Sequence, residues 1–432
     1  MEACSVALQR CVRNIVNEGG YGNDMSAASL LEESRENEKA LTGGMALLNG
    51  THNEKQITQA ETLCMMGGKF DDDVADYVAS TVFPKAGRLR VVEIASTKIS
   101  PLGVITLLRS LYQSPNDVLE QLLFCDTRLH SDECAAIYNL MVKHTSHLQR
   151  LELQRCHMDD TAAQAVAEGI AQAKALVEVR IADSDIIPAF AIPLEDSQWL
   201  LFPSSLKVLD VSGNRIESVH HRGLAIALRR CIASLEEIYM SRCCVTESFL
   251  TTLLKAGLHS SHCLRVINVS SGRLLHTAGK VLSSFLTECP NLERLYVQDN
   301  LIEADGAARM AIGIPCAKKL KVLGLGSCHL NGEGARVIAE AVRQTPSVRE
   351  LDLSNNSLSD ADVFQICACE DGSSLQLSFL DLSSNPLTDR CRPFIQALLR
   401  SKKNGTCTVL VRNTNVAAEF SYLQCGDVSG LS

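Results

Sequence analysis

Thirteen copies of one apolar pattern recur along this chain, and no other feature limits its possible folds as tightly. The clearest copy is Leu292-x-x-Leu295-x-Val297-x-x-Asn300-x-Ile302, followed by Gly306, Met310 and Ile314 at four-residue steps. The same register starts at Ala60, Leu89, Leu119, Leu148, Leu176, Leu206, Leu235, Leu264, Leu292, Leu320, Val348, Leu377 and Thr406. Twelve steps span 346 residues, a mean period of about 28.8. A fixed period of this size marks a stacked array of short units.

The period also says what each unit is. Apolar residues at the fourth and sixth positions include a period-2 stretch, which reads as a short strand. Beyond the turn, apolar or small residues fall every four positions, as in Leu330, Gly334, Ile338 and Val342, or Met158, Ala162, Val166 and Ile170. That spacing keeps one face of a helix buried. Each unit is therefore strand, turn and helix, with the small residue where helix and strand approach most closely. A single unit buries too little to stand alone, so stacked neighbours must supply the remaining burial and the strand hydrogen bonds. The predicted fold class is α/β: a curved array of about 13 repeats, parallel strands on the concave face and helices on the convex face.

The motif L-x-x-L-x-L-x-x-N/C-x-L followed by G/A-x-x-x-L-x-x-x-L resembles the leucine-rich repeat, specifically its longer, ribonuclease-inhibitor-like type. The resemblance covers about residues 60–432 and implies a horseshoe-shaped solenoid. It also implies that Asn or Cys at the ninth position caps the backbone inside the bend. That position holds Cys156, Asn214, Cys243, Asn300, Cys328, Asn356 and Asn385 in the well-matched copies, and Gly68, Thr97, Thr127, Ser184, Gly272 and Thr414 in the others. On function the resemblance says little, because this fold hosts many unrelated tasks.

Residues 1–59 do not carry the repeat and read as an N-terminal helical and linker extension before a repeat domain at 60–432. Cys4, Ala7, Leu8, Cys11, Val12, Ile15 and Val16 share one helix face, suited to covering the first repeat or docking a partner. Asn23 to Glu54 is polar and charged and reads as short helix and linker. The first and last repeats are degenerate, and Phe420, Tyr422 and Leu423 form a C-terminal cap. Asp71-Asp72-Asp73 reads as the acidic first turn of a helix, favoured by its dipole. The repeat from Leu176 breaks the rule, because Pro188, Pro193 and Pro203 forbid a regular helix. Trp199, the single tryptophan, and Phe202 either fill the gap left by that helix or form an apolar anchor on the outer face.

Composition narrows the function classes. A net charge of −9 argues against nucleic acid or an anionic membrane as the main partner. The 18 cysteines are scattered, several at the structural ninth position. With no signal-type apolar run at the start and no apolar stretch long enough to span a bilayer, reduced thiols and a cytoplasmic or nuclear setting are expected. No P-loop, G-x-G-x-x-G, G-x-S-x-G, H-E-x-x-H or C-x-x-C motif occurs. His259-Ser260-Ser261-His262-Cys263 and His144-x-x-His147 have ligand residue types but no second cluster beside them, and Cys367-Ala368-Cys369 reads as buried repeat residues. No catalytic residue, metal or cofactor is therefore expected.

What remains is the concave face. Fifth-position side chains stack into one column, whose candidate contacts are Glu152, Arg180, Asp210, Tyr239, Asn268, Tyr296, Asp352 and Asp381. Eighth positions add Arg155, Arg242 and Asp299. Two of only seven tyrosines stand in this column near Arg242, a hot-spot composition. The predicted function is a non-enzymatic scaffold or adaptor that binds a protein on this face. Intracellular proteins with similar repeats include inhibitors, adaptors and subunits of cytoskeletal, cilium and flagellum assemblies. Resemblance offers two alternatives. Ran GTPase-activating proteins share the repeat type but carry a long acidic C-terminal segment, which residues 417–432 do not match. Ubiquitin-ligase substrate receptors need an adaptor-binding segment that residues 1–59 do not clearly supply.

Overall fold

The computed structural model describes residues 40–42, 54–193, 199–258, 262–367, 375–400, 407–416 and 422–424. The helix read at residues 4–16, His259 to Ser261, Ala368-Cys369 and Phe420 lie outside them. The chain divides into two compact units, Met1–Leu206 and Lys207–Ser432.

In the first unit, strands β1 (Ala40–Thr42), β2 (Thr62–Met66), β3 (Val91–Ala95), β4 (Gln121–Cys125), β5 (Arg150–Gln154) and β6 (Glu178–Arg180) pair in chain order, all parallel. The register joins equal repeat positions, for example Leu122 with Leu151 and Phe124 with Leu153. These fourth and sixth residues are fully buried, as are the helix residues Ile137, Leu140, Val166 and Ile170 that meet them. The longest helices of this unit are α1 (Pro101–Gln113), α2 (Ser131–Lys143) and α3 (Asp160–Gln172). β1 is a departure from the sequence reading, which placed linker and short helix there. In the degenerate first repeat Val74, Val78 and Val82 are buried as the spacing requires. Its aspartates act as caps: Asp71 accepts from the Val74 N–H at 3.2 Å, and Asp72 from the Ser100 N–H of the next repeat at 2.7 Å.

The proline-rich repeat keeps five helical residues, α4 (Ile187–Ala191). Phe190 and Phe202 stack with ring centroids 4.1 Å apart and are each 1% exposed. Phe202 is therefore not a surface anchor: with the helix shortened by prolines, its ring fills the space the helix would have occupied. Trp199 is half-buried.

In the second unit, β7 (Val208–Asp210), β8 (Glu237–Tyr239), β9 (Val266–Asn268), β10 (Arg294–Tyr296), β11 (Val322–Gly324), β12 (Glu350–Asp352), β13 (Phe379–Asp381) and β14 (Thr408–Leu410) run parallel in the same register. β15 (Tyr422–Gln424) lies antiparallel on β14, where the sequence placed a cap. Where a helix carries the small residue it marks a close approach to the neighbouring repeat's helix, not to the strand as the sequence reading placed it. A Cβ on Gly279 would fall 2.2 Å from the Gly306 carbonyl oxygen, so the helices α5 (Gly279–Glu288) and α6 (Glu303–Ala311) meet backbone to backbone.

Two positions build the bend after each strand. The ninth residue satisfies backbone groups from inside. Asn356 donates to the Leu325 and Ser354 carbonyls at 2.8 and 3.0 Å and accepts from the Cys328 and Leu330 N–H groups at 3.0 and 3.1 Å. Cys243 does half of this, its thiol 3.0 Å from the Val211 carbonyl. The eighth residue reverses the chain in the left-handed region at every repeat, from Gly67 and Ser96 through Arg155, Gly213 and Arg242 to Asn355 and Asn413.

Candidate interaction face

With fourth and sixth side chains committed to the core, third and fifth side chains must lie on the opposite, open face of each sheet. In the first unit this face is knitted by ion pairs. Arg150 donates to Glu152 at 2.8 Å and approaches Glu178 at 3.6 Å, and Arg180 also donates to Glu178. At the eighth position, exposed Arg155 donates to both carboxylate oxygens of Asp126. That bond holds the Asp126 carboxyl below its usual range. Beside them, burial pushes the Cys125 thiol up to about 12, which removes its reactive thiolate at neutral pH.

The second unit uses its fifth position differently. The Oδ1 atoms of Asp210, Asn268, Asp352 and Asp381 accept the N–H two residues on, from Ser212, Ser270, Ser354 and Ser383, at 2.8–3.0 Å. Ser270 and Ser354 add their hydroxyls at 2.6 Å. This is the Asx-turn geometry by which a short polar side chain takes over a backbone donor. Asp210, Asn268 and Asp381 are buried by it, at 3, 5 and 9% exposure. Tyr239 is buried too, at 8%, with its hydroxyl donating to Glu237 at 2.7 Å. The sequence reading set these four out as open contacts; local hydrogen bonding has drawn them in. Tyr296 and Asp352 are half-buried, and Arg242 and Asp299 are exposed.

Asp352 and Asp381 are direct register partners. Among the described residues neither forms an ion pair. Burial, with the Asp381 charge adding, raises the Asp352 carboxyl above its ordinary pKa in spite of the Ser354 bonds. Asp352, the half-buried member of the pair, also accepts from Gln298 at 3.4 Å.

Comparison with known proteins bears on these observations. Two leucine-rich-repeat family models match, one at residues 144–167 and 203–219, the other at 347–369. The ribonuclease inhibitor of Sus scrofa is 22% identical over 346 residues, 73% of this chain and 75% of that protein. The chain carries leucine-rich repeats and is similar to the ribonuclease inhibitor. The human NACHT, LRR and PYD domains-containing protein 3 is 25% identical over 46% of the chain, which spans only 22% of that longer protein. Among solved structures, a chain in the crystal structure of the yeast Rad7 and Elc1 complex superposes with a TM-score of 0.51 at 14% identity. That match covers 94% of this chain and 97% of the other, and it speaks to fold alone. Each of the two units is a leucine-rich repeat solenoid.

Sequence reasoning missed two recurring features of these repeats. One is the left-handed eighth position, although its residues are rich in Gly, Asn and Asp, the types that tolerate positive φ. The other is a charge ladder at the second position: Lys207, Glu236, Arg265, Glu293 and Lys321 pair in succession at 2.7–4.0 Å. Alternating sign at the 29-residue period was its signal. Among the described residues, no group of three His, Cys, Asp or Glu could hold a metal ion, and no helix is long and apolar enough to cross a membrane.

Proposed function

We propose that this chain is a non-enzymatic scaffold that binds a protein partner on its open strand faces. The observation carrying this reading is the second unit's face, where half-buried Asp352 stands beside buried Asp381 and, among the described residues, neither has a counter-ion. Half-buried Tyr296 and exposed Arg242 and Asp299 lie on the same unit. Charged groups elsewhere on these faces, such as Arg150, Glu152 and Arg155, are already paired within the chain. The fit is to a protein presenting Lys or Arg beside an apolar group, since an aromatic anchor and a desolvated charge pair concentrate binding energy.

Crosslinking mass spectrometry on the native protein tests the proposal, with Tyr296→Ala/Asp352→Asn as the comparison and far-ultraviolet circular dichroism as the fold control. Crosslinks from one partner to β10–β13, lost in the folded double variant, are expected. Crosslinks confined to the helices, or unchanged in the variant, would overturn the proposal.

A further inference from the structure

The turn between α2 and β5 ties three successive repeats of the first unit together. Lys143 reaches back, its Nζ donating to the Tyr112 and Ser114 carbonyls at 2.8 and 2.9 Å, where α1 ends. Thr145 reaches forward: its hydroxyl donates to the Gln172 carbonyl at 2.7 Å, and its own carbonyl accepts from the Ala175 N–H at 3.1 Å. Between them His144 closes the turn, its carbonyl accepting from both His147 and Leu148 N–H groups at 2.9 Å.

The His144 ring sits inside this clamp at 1% exposure, with neither Nδ1 nor Nε2 hydrogen-bonded. Asn116, in the loop of the preceding repeat, is 0% exposed and its amide oxygen also lacks a donor. We propose that His144 is an acid-sensitive latch: protonating its ring opens the clamp and loosens the loop edge that joins these three repeats. The inference does not rest on the partner-binding reading.

The physical reason is that an imidazolium needs two acceptors and a counter-charge, and Asp117 alone supplies any of this. The groups acting on the ring are Lys143 and His147 of its own turn, which oppose protonation, and Asp117 of the preceding loop, whose charge and backbone both favour it. Burial outweighs Asp117 and pushes the imidazole down to about 4. A folded value below the solvent-exposed one means the closed clamp is fully favoured above about pH 6.5 and is lost as pH falls toward 4. Between pH 7 and pH 4.5 that linkage weakens closure by roughly fifty-fold.

Amide hydrogen exchange on the full chain reads this directly, corrected for the intrinsic pH dependence of exchange. Protection of residues 112–118 and 143–148 should fall by tens-fold from pH 7 to pH 4.5 in the wild type, and should not fall in His144→Leu or His144→Gln. Should both variants fail to fold, an NMR titration of the wild-type His144 ring decides, with a midpoint near 4 expected. Equal protection at both pH values, the same loss in the variants, or a ring titrating near 6.5 would each overturn the proposal.

Discussion

The two units carry one repeat, yet they end their strands differently. β2 to β5 of the first unit run five residues, through the seventh position, whereas β7 to β14 of the second stop at the fifth. Fifth-position residues account for this in four of the second unit's strands; those ending at Tyr239, Tyr296, Gly324 and Leu410, and β6 in the first unit, stop there without such a residue. In β2 to β5 of the first unit the fifth residues are Cys64, Glu93, Leu123 and Glu152, none of them Asp or Asn. In four repeats of the second unit Asp or Asn takes the N–H two residues on, which removes a donor from the ladder and starts the bend sooner. The same substitution changes the open face. The first unit spreads balanced ion pairs across it, while the second tucks polar groups against its own backbone and holds one acidic pair that has no ion pair among the described residues. A repeat that looks uniform in its leucines is thus differentiated by its polar positions, and those positions decide what each face can bind.

The largest test of this contrast concerns how each unit repairs a departure from its pattern. Phe202→Ala removes the ring that replaces a missing helix in the first unit, and should cost about 3–5 kcal/mol, read as a lowered urea midpoint. A cost under about 1 kcal/mol would mean that the stack with Phe190 is not a structural substitute. Next come the ninth positions. Asn356→Ala strands two N–H groups and two carbonyls in the second unit, and about 2–4 kcal/mol is expected. Cys156 makes weaker contacts in the first unit, its thiol 3.5 and 3.7 Å from two carbonyls, so Cys156→Ala should cost about 1–2 kcal/mol. Equal losses would show that volume, not hydrogen bonding, sets the value of the ninth residue.

The leucines made most of the fold legible. Strand register, the buried helix faces and the ninth-position caps all follow from a periodicity that has one physical solution. What the periodicity did not reveal depended on competition between partners at short range. Asp210, Asn268 and Asp381 have the residue types of a contact surface, but a backbone N–H two residues away is always closer than any partner. Phe202 has the residue type of an anchor, and whether it faces inward depends on how much helix the prolines remove. β1 is three residues, Ala-Leu-Thr, too short to show alternation against polar flanks; it forms because β2 offers an unpaired edge.

A smaller effect sharpens the contrast through the second-position ladder. Glu293 lies 3.1 Å from Arg265 and 2.7 Å from Lys321, and these bonds hold its carboxyl down at about 2. A depressed folded value means the ladder's contribution is present above about pH 4.5 and lost as pH falls toward 2. Both cations are largely exposed, so Glu293→Gln should cost about 0.5–1 kcal/mol at low ionic strength and less at 1 M salt. Thermal melts at the two salt concentrations check this; a loss that salt does not reduce would assign Glu293 to packing.

The smallest effect has the opposite sign and bears most on function. Asn268 accepts the Ser270 N–H and hydroxyl at 3.0 and 2.6 Å, so an amide can do at this position what Asp352 does. Asp352→Asn should keep the turn and relieve the repulsion from Asp381, stabilising the second unit at pH 7 by about 0.2–1 kcal/mol. Because the wild-type carboxyl titrates above its ordinary value in the folded state, stability should decline as pH rises through that titration, and the variant should lack this decline. A variant that is more stable and yet binds its partner more weakly would show that the charge opposes the fold and serves recognition. A variant less stable at pH 7 would mean that the carboxylate does more for the turn than the Asn268 geometry allows, and the acidic pair would then be structural.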